Sequence, residues 1–247
     1  MAPAPKFSPE VEEELVLRSA AHVIGNSSIL DFKMSAIAAE AGISMGSVYK
    51  HVQCKEDVMI ALVSKMLETT FFKFEEILKL PLSTPERCVA SVMADFSLCG
   101  LYSFDEHLKM LVTNEAVLRK GSAKWRDRML HWERKIEELV HKALETAFET
   151  GELKAANKLA VLDQLNLGIW AFCSGFSQIS VLKDGFSLYG EIRALEDPYT
   201  PDSPQVQCVK AFLSGFDWRT PLDDEGVLRV SSQLEGIGLQ KKGAKCS

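Results

Sequence analysis

The sequence has no CxxC pair. Its six cysteines, Cys54, Cys88, Cys99, Cys173, Cys208 and Cys246, follow no regular spacing. Zinc and disulfide frameworks need tighter patterns, so neither is expected. Cys88, Cys99 and Cys173 read as small apolar packing residues, and no thiolate-stabilising setting marks a redox sensor. The five histidines, His22, His51, His107, His131 and His141, never pair at metal-ligand spacing. Glu137 with His141 is a single i,i+4 pair of the kind any helix surface carries. P-loop and dinucleotide fingerprints are both missing. No catalytic residue, cofactor or metal is therefore expected. No apolar run approaches the ~18 residues of a membrane span. The longest candidate, Leu165 to Val181, is interrupted by Gly168, Ser174, Gly175, Ser177, Gln178 and Ser180. The opening "MAPAPKF" lacks the apolar stretch of a secretory signal, so a cytoplasmic protein without a membrane partner is expected. A basic excess is also missing. Net charge is −6 and the pI near 5.5, and residues 1–65 hold six Lys/Arg against eight Asp/Glu. Any nucleic-acid contact must come from a small oriented patch; residues 33–55 offer one, with Lys33, Lys50 and Lys55 against Glu40 alone.

What is present is helix. The chain has 247 residues, 47% hydrophobic, enough material for a sizeable core. Ser8-Pro9 reads as an N-cap followed by proline in the first turn, with Val16, Ala20, Val23 and Ile24 at helical spacing behind it. A short second helix ends at Gly42, where a left-handed cap is natural. Ser44 caps a third, with Val48 and Val52 on its inner face. A fourth starts near Lys55. Further helices are expected over about 84–101, 104–119, 123–150, 157–183 and 203–216. "LKLPLSTPE" (78–86) is proline-marked and makes the best domain boundary. No strand alternation and no repeat occurs, so the fold class is all-α. The stretch after Trp218 reads as an irregular or mobile tail, its Lys241, Lys242 and Lys245 a solvated end.

Residues 37–52, "IAAEAGISMGSVYKHV", hold two short helices joined by a glycine turn, the pattern of a helix-turn-helix whose second helix enters the major groove. Ile37, Ala41, Ile43, Val48 and Val52 supply the inner face. Gly46, Ser47 and Lys50 point away from it, with Tyr49 flanking. Ser44, Ser47 and Tyr49 offer hydroxyls, and Lys50, Lys55 and His51 offer donors for phosphate oxygens. Against this, Tyr49 suits a half-buried packing role, His51 lies near valines and suits packing within its own domain, and the lysines suit plain solvation.

"IAAEAGISMGSVYKHVQCKEDV" resembles the signature of the TetR (tetracycline-repressor) family of bacterial transcription regulators, with Gly42, Gly46, Tyr49, His51 and Lys55 all in register. The likeness covers about a quarter of the chain. It implies base or near-base contacts from Ser44, Met45 and Ser47, phosphate contacts from Tyr49, His51 and Lys55, and a tuning role for Lys50. Lys33 and Ser35 join them at the start of the second helix. Three departures stand out. Lys33 replaces a threonine that caps helix two. Cys54 replaces a polar cap of helix four. Met45 makes no hydrogen bond but can meet a thymine methyl.

The resemblance implies a DNA-binding domain over 1–57, a connecting helix over 58–80, a ligand-binding and dimerisation domain over 81–218, and the tail over 219–247. The apolar helix around "DQLNLGIWAFCSGFSQISVL" and the segment "VKAFLSGFDW" then form a homodimer interface through Gly168, Ala171, Phe172, Gly175, Phe212 and Phe216. Phe96, Trp125, Met129, Trp132, Trp170 and Phe176 are the candidate lining for an apolar small-molecule effector, each alternatively plain core. The implied partners are a double-stranded operator, that effector and a second copy of the chain. The rival reading is a helical dimeric ligand- or protein-binding module without sequence-specific DNA binding.

Overall fold

The computed structural model describes residues 7–182 and 200–241, apart from a few side chains. These residues form eleven α-helices and a single two-residue strand pair. The order is α1 (Pro9–Asn26), α2 (Met34–Ala41), α3 (Met45–His51), α4 (Lys55–Leu78), α5 (Thr84–Met93), a 3-10 turn (Phe96–Cys99), α6 (Asp105–Val112), α7 (Glu115–Lys120), α8 (Ala123–Glu149), β1 (Leu153–Lys154), α9 (Lys158–Leu182), α10 (Pro204–Leu213), β2 (Asp217–Trp218) and α11 (Asp224–Gly236). The expected all-α class holds. The antiparallel β1–β2 pair, Leu153 opposite Trp218, only staples two helix ends.

The chain divides into two compact units. The first is residues 1–68 with 101–133, the second 69–100 with 134–247. This differs from the expected partition. The proline-marked stretch 78–86 lies inside the second unit, and residues 101–133, assigned by sequence to the larger domain, fold with the helix-turn-helix. Composition marks where a chain bends, not which distant segment it bends back to.

In the first unit α1 packs on α2 and α3 through Val16, Ala20, Ile24, Ile37, Val48 and Val52, all at most 2% exposed. Ser8 accepts from the Val11 amide, and Gly42 takes φ 64°, the left-handed cap its position predicts. In the second unit one continuous core joins Ile77, Val89, Met93, Leu144, Leu165, Val209 and Leu234. α5 lies against α9, α10 and α11. The described residues after Trp218, up to 241, are therefore no loose arm. Asp223 caps α11, and Val227, Val230 and Leu234 bury the helix. Lys242, Lys245 and Cys246 fall outside the described residues, as does Lys6.

α9 carries a correction. Its stretch Lys158–Ile179 has a mean hydropathy of 1.3, so by length and composition alone it matches a membrane-crossing helix despite its interruptions. One face, with Leu162, Leu165 and Ile169, enters the core. The other leaves Leu159, Leu167 and Trp170 exposed.

Candidate nucleic-acid interface

α3 is seven residues long, too short to persist without support. Ser44 closes its first turn, its Oγ accepting from the Ser47 amide at 3.0 Å. Val48 and Val52, both fully buried, fix its inner side. What remains turns outward: Ser44, Gly46, Tyr49 and Lys50 are exposed, and Met45 and Ser47 half-buried. A Cβ at Gly46 would meet nothing nearer than the Ser44 hydroxyl at 3.7 Å, so its outer side is open space. Lys33 and Ser35, at the first turn of α2, are exposed as well. Lys33 makes no side-chain cap, as its chemistry requires.

Two expected phosphate contacts are placed differently. His51 is 8% exposed. Its Nε2 lies 3.0 Å from Glu12, and its backbone carbonyl accepts from the Trp125 indole N–H at 2.9 Å. It is a packing residue that holds the end of α3, the other reading its sequence allowed. Lys55 is half-buried. Its ammonium donates to the Leu30 carbonyl at 3.2 Å and sits 5.0 Å from the Phe32 ring centroid, which draws it into the unit. Cys54 corrects a third expectation, because it does cap α4: its sulfur accepts from the Asp57 amide while Asp57 accepts from the Gln53 amide.

Behind α3 lies a network that spacing gave no means to find. Trp125, fully buried, contacts His51 from 74 positions along the chain. Lys124 and Arg128 flank its ring at 4.5 and 4.9 Å and both bond Glu13, at 2.5 and 2.6 Å. Burial pushes the Glu13 carboxyl up, but those two hydrogen bonds outweigh it and hold the group below its ordinary value. The hydrogen bond from His51 likewise lowers Glu12. Lys65 pairs with Glu14 at 3.3 Å. Three of the four clustered acids of α1, Glu12, Glu13 and Glu14, thus have partners within the unit.

The six residues expected to line one pocket divide between the units: Trp125, Met129 and Trp132 belong to the first, and Phe96, Trp170 and Phe176 to the second. Trp125 is a buried structural key, Phe96 stacks on Phe74 at 5.6 Å, and Trp170 is 62% exposed. Among the expected dimer residues, several serve packing inside the second unit. A Cβ on Gly168 would lie 2.2 Å from the Phe212 ring, so this glycine lets α10 approach α9. Phe172 contacts Phe176 and Phe212, and Phe212 contacts Phe216, with centroids 5.2–5.5 Å apart. Ala171 is exposed beside Leu167 and Trp170, and Gly175 is half-buried with open space at its Cβ position. The described cysteines are free thiols, and burial pushes that of Cys88 up to about 12, the wrong direction for a reactive thiolate.

No family model matches the chain. The Fatty acid metabolism regulator protein of Bacillus subtilis is 22% identical over 153 residues, 62% of this chain and 76% of that protein. A bacterial regulatory protein of the tetR family from Rhodococcus RHA1 superposes with a TM-score of 0.55 at 14% identity, over 85% of this chain and 98% of its own. The superantigen PfiT does so with a TM-score of 0.53 at 16% identity, over 85% and 99%. Likeness at this level is a likeness of fold, and PfiT carries that fold under a different description. In fold, the chain is similar to bacterial regulators of the TetR family.

Proposed function

We propose that the chain is a dimeric, ligand-responsive, DNA-binding transcriptional repressor that reads a palindromic operator and is released by a small, mostly apolar effector. One observation carries the reading. On α3 the buried side is fixed by valines, His51 and Trp125, while Ser44, Gly46, Tyr49 and Lys50 face solvent. Hydroxyls, a lysine and a bare glycine on a short, well-capped helix suit a groove and its phosphates. Phosphate contact falls to Tyr49, Lys50 and Lys33, with Ser35 beside them; Ser44, Met45 and Ser47 lie nearest the bases. His51 and Lys55 position the helix instead.

A two-fold operator needs two readers about 34–36 Å apart. The exposed Leu159, Leu167, Trp170 and Ala171 stripe of α9 suits the meeting face of two copies, since a soluble chain gains by covering it. The B. subtilis relative is described as a regulator of fatty acid metabolism, which favours an effector with an apolar body. The effector acts by shifting the population of two arrangements, and a coupling of about 1–3 kcal/mol gives ~5–150-fold weaker operator binding. The role is non-catalytic and its place is the cytoplasm.

Selection of genomic fragments by the purified protein at fixed, near-physiological salt tests this. Recovery of a two-fold symmetric site is expected. The other reading, a helical binding module without sequence-specific DNA binding, draws on PfiT and on the acidic start of α1, Glu10 to Glu14. Recovery of no preferred sequence by folded protein, with and without candidate effectors, would favour it.

A further inference from the structure

The second unit holds a cleft of about 340 Å³ between the first turns of α5 and α11 and the segment that joins β2 to α11. Its three carboxylates are already engaged by donors of the protein. Glu86 accepts from the Ser83 amide at 2.7 Å through Oε2, while Oε1 takes the Arg229 guanidinium at 2.8–2.9 Å. Both oxygens of Glu152 accept from Thr84, one from the amide and one from the hydroxyl, each at 2.6 Å. Asp223 Oδ1 accepts from the Gly226 amide at 2.7 Å.

The cations of the cleft are not matched in the same way. Arg229 is paired with Glu86, but Arg87 and Arg219 form no ion pair among the described residues. Arg87 donates from Nη2 to the Leu80 carbonyl at 3.1 Å, and its buried Nε has no partner. Among the described residues the Arg219 guanidinium reaches only the Thr150 carbonyl, at 3.4 Å. A guanidinium carries five N–H donors and no acceptor. The two guanidiniums therefore leave donor capacity open in this cleft, positively charged and planar, the match for a two-oxygen anion.

We infer that the cleft binds a small molecule bearing a carboxylate or phosphate group, with the oxyanion bridging Arg87 and Arg219 and the rest of the ligand against Leu82, Pro221 and Leu222. The volume limits that body to a small one. The site lies wholly within the second unit and stands apart from the DNA reading, so either can fail without the other.

The test titrates full-length protein with succinate and, separately, with inorganic phosphate, at ionic strength held constant with chloride. Thermal midpoint and the Arg87 Nε–H resonance are followed together. At least one anion is expected to raise the midpoint saturably and to shift that resonance. R219Q, a change at an exposed position, and R87K, which keeps the charge but removes the fork, should each weaken apparent affinity at least tenfold, circular dichroism confirming that both variants are folded. The stronger of the two titrations tells carboxylate from phosphate. Absence of any saturable effect beyond chloride with both anions, or affinity unchanged in both variants, would overturn the inference.

Discussion

The two units solve different problems with the same kind of helix. The second buries a broad core, Ile77 to Leu239, in which α5 meets α9, α10 and α11. The first must keep one side of a seven-residue helix open to solvent, so it fastens that helix from behind. Val48, Val52 and the Trp125–His51 bond do this on one side, and the Glu13–Lys124–Arg128 cluster frames them. Fragility should lie in the first unit: its outward-facing helix is held by few residues, the core of the second by many.

Trp125→Ala should expose this most strongly, with a loss of about 3–5 kcal/mol. Chemical denaturation gives the size, and hydrogen exchange should find α1–α3 amides unprotected before those of α5 and α11. Equal loss in both units would erase the contrast. Gly168→Ala tests the second unit, because the Phe212 ring must move. A cost of about 1–3 kcal/mol is expected, with no change in exchange over α1–α3. Ser44→Ala removes the cap of α3 and should cost about 1 kcal/mol. An unchanged denaturation midpoint would mean that the Ser47 amide finds water as readily.

Glu13→Gln gives the smallest effect, below about 1 kcal/mol, since Lys124 and Arg128 are nearly half exposed and solvent screens them. The sign follows from the lowered carboxyl. Its stabilisation is present above the ordinary value of 4.5 and is lost as pH falls through the depressed folded value. The gap between wild type and variant should be open at pH 7 and close in acid. A gap that widens in acid would show the assignment to be wrong.

Local features were legible in the sequence. Ser8, Gly42 and Ser44 act within three or four residues of themselves, and the inner valines of α3 follow helical spacing. Features made by distant partners were not. His51 and Lys55 sit in register with a DNA-binding signature, yet each has a nearer use: His51 meets Glu12 and Trp125, and Lys55 meets Leu30 and Phe32. Their environment depends on residues 23 to 74 positions away, which no spacing rule reaches. The first unit's return through 101–133 was hidden for the same reason. α11 was different. Asp223 followed by Val227, Val230 and Leu234 spelled a capped amphipathic helix, obscured by glycines and by its place near the end of the sequence.

Contact between DNA and the exposed side of α3 is tested most directly by the affinity of full-length protein for a fragment recovered by the genomic selection, measured across a salt series for wild type and for the Tyr49→Ala, Lys50→Ala double variant. Weaker binding is expected, with a log–log salt slope reduced by about 1 for the one charge removed. Identical affinity and slope in the two proteins would contradict it.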